Sequence, residues 1–149
     1  MIPRILGLDI GEKRLGVAVT DPMGMFAQPL CSIDIRGEKT YSDILSLVSE
    51  YNAEKIVVGL PIELSGNHGT RAKSVEKFTN ALREYLAKRL DTIPEISMWD
   101  ERLTTVQAEH VIRGAKLKDK KRREALDRIS AAVILESFIN CRKNKQIVS

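Results

Sequence analysis

The chain has 149 residues, 24 Lys+Arg against 20 Asp+Glu, and a formal charge of +4. That length suits one domain with a real core, and 43% hydrophobic with 30% charged residues suits a soluble globular protein rather than a disordered one. No apolar run approaches the roughly 20 residues of a membrane-spanning helix, the opening MIPRILGLDIG lacks a signal-peptide core, and Cys31 and Cys141 match no metal or disulfide spacing. The expectation is a cytoplasmic protein without a membrane partner.

In chain order, residues 4–10 (RILGLDI) read as a buried strand, Gly11 to Arg14 as a turn, and 16–21 as a second strand. Pro22-Met23-Gly24 marks another turn, and 25–33 a third strand with Pro29 at an edge or bulge. Two short connections in succession imply an antiparallel meander. Tyr41, Ile44, Leu45 and Val48 recur at helical spacing, predicting a helix over 40–51. Lys55–Pro61 is a β-branched apolar run suited to a central parallel strand. A Gly- and Asn-containing loop follows to Thr70. Val75, Phe78, Leu82, Leu86 and Leu90 mark a long amphipathic helix, and 96–101 the next strand. Thr104 and Gln107 fit a capping box opening a helix to about Ile112, and a last helix is predicted over 124–138.

The resulting order, β-β-β-α-β-α-β-α-α, contains no repeat and no linker. It predicts an α/β domain with a five-stranded mixed sheet and helices on both faces. An antiparallel start joined to parallel strands is the element order of an RNase H-like fold. A flavodoxin-like sheet would need a helix between the first two strands, where there is no room for one. The whole chain, 1–149, is expected to be one such domain, with a basic segment at 113–123 and a short C-terminal tail at 142–149.

The charge is unevenly placed. Residues 113–123 hold seven basic residues (Arg113, Lys116, Lys118, Lys120, Lys121, Arg122 and Arg123) and one acid, Asp119, so this stretch carries +6 and leaves the rest net acidic. It reads either as a solvated loop or as a segment that holds nucleic-acid phosphates. Aromatic residues are only 5%, which argues against a base-stacking single-strand binder.

Three separated segments supply acids. Asp9 ends a strand of apolar neighbours, where a carboxylate is costly without a cation or donor. Asp100 and Glu101 end another strand, and alternation lets only one of them join Asp9. Asp127 lies near the start of the last helix, with the small Ser130 and Ala131 leaving room against its face; alone it would read as a helix-dipole acid. Carboxylates from three segments suit two Mg²⁺ or Mn²⁺ ions and phosphodiester chemistry. Lys13 and Arg14, in the turn after Asp9, are placed either to reach a phosphate or to sit at an exposed hairpin tip. Arg102 either pairs with Asp100 or binds phosphate. His68 and His110 read as a surface and a structural histidine, and Trp99 as core rather than a stacking platform.

Four stretches together carry a family resemblance: LGLDIGEKRLGVAVTDPMG (6–24), VVGLPIELSGNHGTRA (57–72), WDERLTTVQAE (99–109) and DRISAAVIL (127–135). In these the chain resembles the YqgF family, also called RuvX, of pre-16S rRNA processing nucleases and Holliday junction resolvases. The resemblance implies an RNase H-like fold, a bacterial cytoplasmic endonuclease and a Mg²⁺ or Mn²⁺ site. It implies catalytic, metal-holding acids at Asp9, Glu101 and Asp127, with Asp100 as the secondary candidate. It also implies maturation of the 5′ end of 16S rRNA, and so a pre-rRNA or a ribosomal precursor particle as partner. ELSGNH at 63–68 departs from the family's usual loop. Lys13, Arg14, Arg102, Lys116, Lys118, Lys120, Lys121, Arg122 and Arg123 are the expected nucleic-acid contacts. The alternatives are a four-way-junction resolvase acting on branched DNA as a homodimer, and a non-catalytic binding factor in ribosome assembly. An actin-like ATPase is disfavoured because it would need far more chain.

Overall fold

The computed structural model describes residues 2–61, 69–100 and 119–148. The expected helix over 104–112, Arg113, Lys116, Lys118, Arg102, Glu101, His68 and His110 lie outside the described residues. The elements are β1 (Arg4–Ile10), β2 (Arg14–Thr20), β3 (Ala27–Asp34), α1 (Glu38–Tyr51), β4 (Ala53–Leu60), α2 (Thr70–Ala87), β5 (Glu95–Asp100) and α3 (Lys120–Val148).

The five strands form one sheet in the order β3-β2-β1-β4-β5. β1 pairs antiparallel with β2, and β2 with β3; β1 pairs parallel with β4, and β4 with β5. This is the expected mixed α/β sheet. The tight β1–β2 turn closes with the Gly11 amide donating to the Arg14 carbonyl at 2.9 Å. The β2–β3 hairpin is held by Asp21, whose carboxylate accepts the backbone N–H groups of Met23, Met25 and Phe26. These three bonds hold the Asp21 carboxyl below the ordinary value of 3.8.

Each face of the sheet buries its own core, as period-two alternation requires. Leu6, Leu8 and Ile10 of β1, Val17 and Val19 of β2, and Ile56, Val58 and Leu60 of β4 pack under α1 and α2. Tyr41 ties those helices together, with ring centroids 5.2 Å from Phe78 and 5.7 Å from Tyr85. On the other face Ile5, Ala18 and Val57 meet Ala131, Ile134, Leu135, Phe138 and Ile139 of α3. Gly7 lets α3 come close: a Cβ there would lie 2.8 Å from Leu135 Cβ and 3.1 Å from the Ala131 carbonyl. Trp99 belongs to this second core, edge-on to Phe138 at 5.5 Å and donating from Nε1 to Ser137 Oγ at 3.1 Å. That agrees with the reading of Trp99 as core.

Among the boundaries that differ from the sequence reading, three bear on the site. β2 begins at Arg14 rather than at residue 16, so Arg14 is a strand residue paired with Asp34 and not the end of the turn. α2 begins at Thr70, five residues ahead of the first apolar marker. α3 begins at Lys120 and continues to Val148, so Lys120–Arg123 open a helix and residues 142–148 continue it.

Candidate active site

The site is built on a row of residues across three strands. In the β1–β2 register Asp9 stands opposite Gly16, and in the β2–β3 register Gly16 stands opposite Ser32. Directly opposed residues share a face of the sheet. Asp9, Gly16 and Ser32 therefore line up on one face, and Gly7, two residues before Asp9, shows that it is the face under α3.

Gly16 is where the helix touches down. A Cβ built on it would overlap the Asp127 carbonyl oxygen and lie 2.9 Å from the Arg128 amide nitrogen. Only glycine permits that approach, and it sets the Asp127 backbone directly over the middle of the row. Asp9 is flanked by this contact on the same face. Thus β1 and α3, 118 residues apart at these acids, bring Asp9 and Asp127 to one place.

The Asp127 carboxylate is held from below. Arg14, two residues before Gly16 and so on the same face, donates from Nε to Oδ2 at 2.7 Å. Ser32 donates from Oγ to the same oxygen at 3.1 Å. The pair is sheltered, with side-chain exposures of 22% for Arg14 and 27% for Asp127. The hydrogen bond to Asp127 raises the Arg14 guanidinium above its already high ordinary value.

Asp100 goes elsewhere. It stands in register with Leu60, and Met98, two residues earlier, packs in the α1/α2 core. Trp99 between them packs under α3. Asp100 therefore lies on the α1/α2 face, across the sheet from Asp9 and Asp127. A cavity of about 360 Å³ is also on that side, walled by Ile10, Arg71, Val75 and Phe78. It is separated from the acids by the sheet.

Two sequence expectations are corrected here. Asp127 is the eighth residue of α3, two turns in, so it is not a first-turn acid answering the helix dipole. Ala131 is fully buried, and its carbonyl packs over Gly7. Its small size brings the helix onto the sheet rather than leaving room beside Asp127. Ser32 was not among the sequence candidates. Its partner is 95 residues away, and only the strand pairing reveals it.

Asp9 and Asp127 are hard oxygen donors on one face, the chemistry Mg²⁺ and Mn²⁺ require. Among the described residues no group of three His, Cys, Asp or Glu side chains forms a metal cluster. Lys13 is exposed in the turn after β1, and Lys120, Lys121, Arg122 and Arg123 are exposed on the first turns of α3, the helix that carries Asp127.

Comparison with solved structures gives the fold class. Thermus thermophilus RuvC in complex with a Holliday junction substrate matches with a TM-score of 0.60 at 16% identity, over 95% of this chain and 96% of that one. The yeast mitochondrial Holliday junction resolvase Ydc2 matches with 0.51 at 14% identity, over 92% and 78%. Curated relatives are much nearer in sequence. A Bacillus cereus (strain B4264) protein named "Putative pre-16S rRNA nuclease" is 44% identical over 140 residues, 92% of this chain and 98% of the relative. A Bacillus thuringiensis (strain Al Hakam) protein of the same name is 43% identical over 142 residues, 93% and 99%. The RuvX family model, described as Holliday junction resolvase, matches residues 3–141. Fold and relatives together define a phosphodiester hydrolase on an RNase H-like sheet. The chain belongs to the RuvX family.

Proposed function

We propose that the protein is a metal-dependent endonuclease that trims the 5′ end of pre-16S rRNA, acting in the cytoplasm as one domain. The observation that carries this reading is the meeting of Asp9 and Asp127 over Gly16, on a sheet whose relatives bear the name of that nuclease. Glu101 is the third acid. Supporting it, Asp100 turns to the α1/α2 face, and alternation favours its neighbour for the face of Asp9. Among these acids Asp100 is therefore the weaker candidate.

In this reading Asp9, Glu101 and Asp127 would hold two Mg²⁺ or Mn²⁺ ions. When bound, such ions would supply an activated water and charge stabilisation at the leaving oxygen of a phosphodiester. The remaining work belongs to basic side chains. Lys13, in the turn after Asp9, and Arg102 hold the strand near the scissile bond. Lys116, Lys118, Lys120, Lys121, Arg122 and Arg123 hold the backbone further out, where each phosphate neutralised releases counterions.

The test is single-turnover cleavage of a pre-16S 5′ leader, a linear DNA and a four-way DNA junction, with Mg²⁺ or Mn²⁺, beside binding titrations in Ca²⁺. The leader should be cut, and Asp9→Asn, Glu101→Gln and Asp127→Asn should each abolish cutting while keeping binding. Their combined losses should be far from additive, because the three act as one site. Preferential cutting of the junction would favour the resolvase activity for which the family model is described. Binding with no metal-dependent cutting would leave an assembly factor.

A further inference from the structure

We propose that Arg14 and Ser32 are positioning residues that lock the Asp127 carboxylate, and that Arg14 serves this role instead of holding nucleic-acid phosphate. The inference rests on the nuclease reading, because it concerns how one of its acids is presented.

Both donors reach the same oxygen. Arg14 Nε lies 2.7 Å and Ser32 Oγ 3.1 Å from Asp127 Oδ2. A carboxylate with one oxygen fixed by two donors from different strands has lost its freedom to rotate. Its other oxygen, Oδ1, is left as the donor for a cation. The two donors are themselves fixed. Arg14 and Ser32 sit on β2 and β3, locked in a seven-pair antiparallel register. α3 is fixed to the same strands by its touchdown on Gly16. Carboxylates that ligate metals are commonly oriented in this way by hydrogen bonds from residues that do not touch the metal.

The role differs from that of Lys13, the residue before it. Lys13 is exposed at the turn, whereas the Arg14 guanidinium is sheltered and bonded across 113 residues of sequence. Adjacent basic residues thus divide the work, one facing solvent and one facing an acid of the site.

Positioning also makes a prediction opposite in sign to plain electrostatics. Were Arg14 only a competing cation, its removal would leave Asp127 more negative and tighten metal binding. If it orients the carboxylate, removal weakens binding despite that gain in charge.

The experiment is calorimetric titration of Mn²⁺ into the substrate-free protein, for wild type, Ser32→Ala, Ser32→Thr, Arg14→Gln and Arg14→Lys. Each is paired with kcat and KM on the leader RNA and with RNA binding in Ca²⁺ at several salt concentrations. Ser32→Ala and Arg14→Gln should weaken Mn²⁺ binding by about 10–100-fold. They should lower kcat with KM and RNA affinity unchanged, and Ser32→Thr should recover most of the loss. Tighter Mn²⁺ binding in Arg14→Gln would overturn the proposal. So would weaker RNA binding in Arg14→Gln with a salt slope flatter by about one unit, which would make Arg14 a phosphate contact. If Arg14→Gln does not fold, Ser32→Ala decides alone: a Mn²⁺ titration that superimposes on wild type refutes the lock. A wild-type protein that neither binds Mn²⁺ nor cuts RNA refutes the nuclease reading itself, and the proposal with it. A wild type that does both while the variants match it refutes only the positioning.

Discussion

Gly16→Ala should damage both stability and turnover, and the structure gives the scale of each. In a strand, alanine is intrinsically better than glycine by roughly 0.5–1 kcal/mol, so a destabilisation must come from the contact. At Gly7 the new Cβ would meet Leu135 Cβ at 2.8 Å, against the 3.4 Å where ordinary contact begins, so α3 must give by about 0.6 Å. At Gly16 it would overlap the Asp127 carbonyl, which is backbone and cannot swing aside. The helix must lift further there. Overpacking costs typically about 1–3 kcal/mol, and Gly16→Ala belongs at the upper end, with Gly7→Ala near the lower. A domain stable by roughly 5–15 kcal/mol still folds. Under the proposed function turnover should suffer separately, since the residue that lifts is Asp127 itself. A displacement of about 1 Å at a reacting group can cost on the order of 100-fold. The assay is urea unfolding beside single-turnover cleavage for wild type, Gly7→Ala and Gly16→Ala. Both variants should lose stability, and Gly16→Ala should lose far more activity per unit of stability lost. A Gly16→Ala protein with the wild-type midpoint and wild-type turnover would mean that α3 is not seated on Gly16.

Other outcomes follow from features away from that contact. Replacing Lys120, Lys121, Arg122 and Arg123 with Gln should weaken RNA binding and flatten its salt dependence by up to about one log–log unit per lost contact. Stability, read by thermal melting, should barely move, because these side chains are exposed. Asp21→Asn should be less stable than wild type at neutral pH. The Asp21 carboxyl is lowered by its backbone donors, so its contribution is present above the ordinary value of 3.8 and is lost as pH falls through the lower folded value. Urea titrations across that range should show the difference closing in acid. Trp99→Phe keeps the ring under α3 but removes the hydrogen bond that Nε1 donates to Ser137 Oγ, and denaturant titration should show a loss of about 0.5–1.5 kcal/mol.

The strands were legible because their pattern is local. Residues 4–10 alternate between two cores and are read from the sequence to the residue. Where the reading slipped, a distant partner was responsible. Arg14 reads as a turn residue because a charge at a strand start is unremarkable, yet it is a strand residue answered by an acid 113 positions on. Lys120–Arg123 fall ahead of the helix predicted over 124–138 because they include no apolar residue to extend its stripe. They are nevertheless helical, with Lys120 within 4.0 Å of Glu124 one turn on and the apolar stripe of α3 docked on the sheet behind them. Asp9 was legible as an odd carboxylate among apolar neighbours. Its alignment with Gly16 and Ser32 was not, since that depends on register across three strands. Alternation limited the Asp100–Glu101 pair to one site acid from sequence alone, and the register then placed Asp100 on the other face.

The touchdown of α3 on Gly16 also fixes when in the life of a molecule the two acids meet. Chains are made and begin to fold from the N-terminus. The meander carrying Asp9, Gly16 and Ser32 comes from the first 34 residues, but Asp127 is synthesised more than a hundred residues after Asp9. A ribosome-bound fragment that carries only these three strands lacks half of the acid pair. If these acids act as proposed, cleavage waits until the helix that carries Asp127 has been made and seated on the sheet.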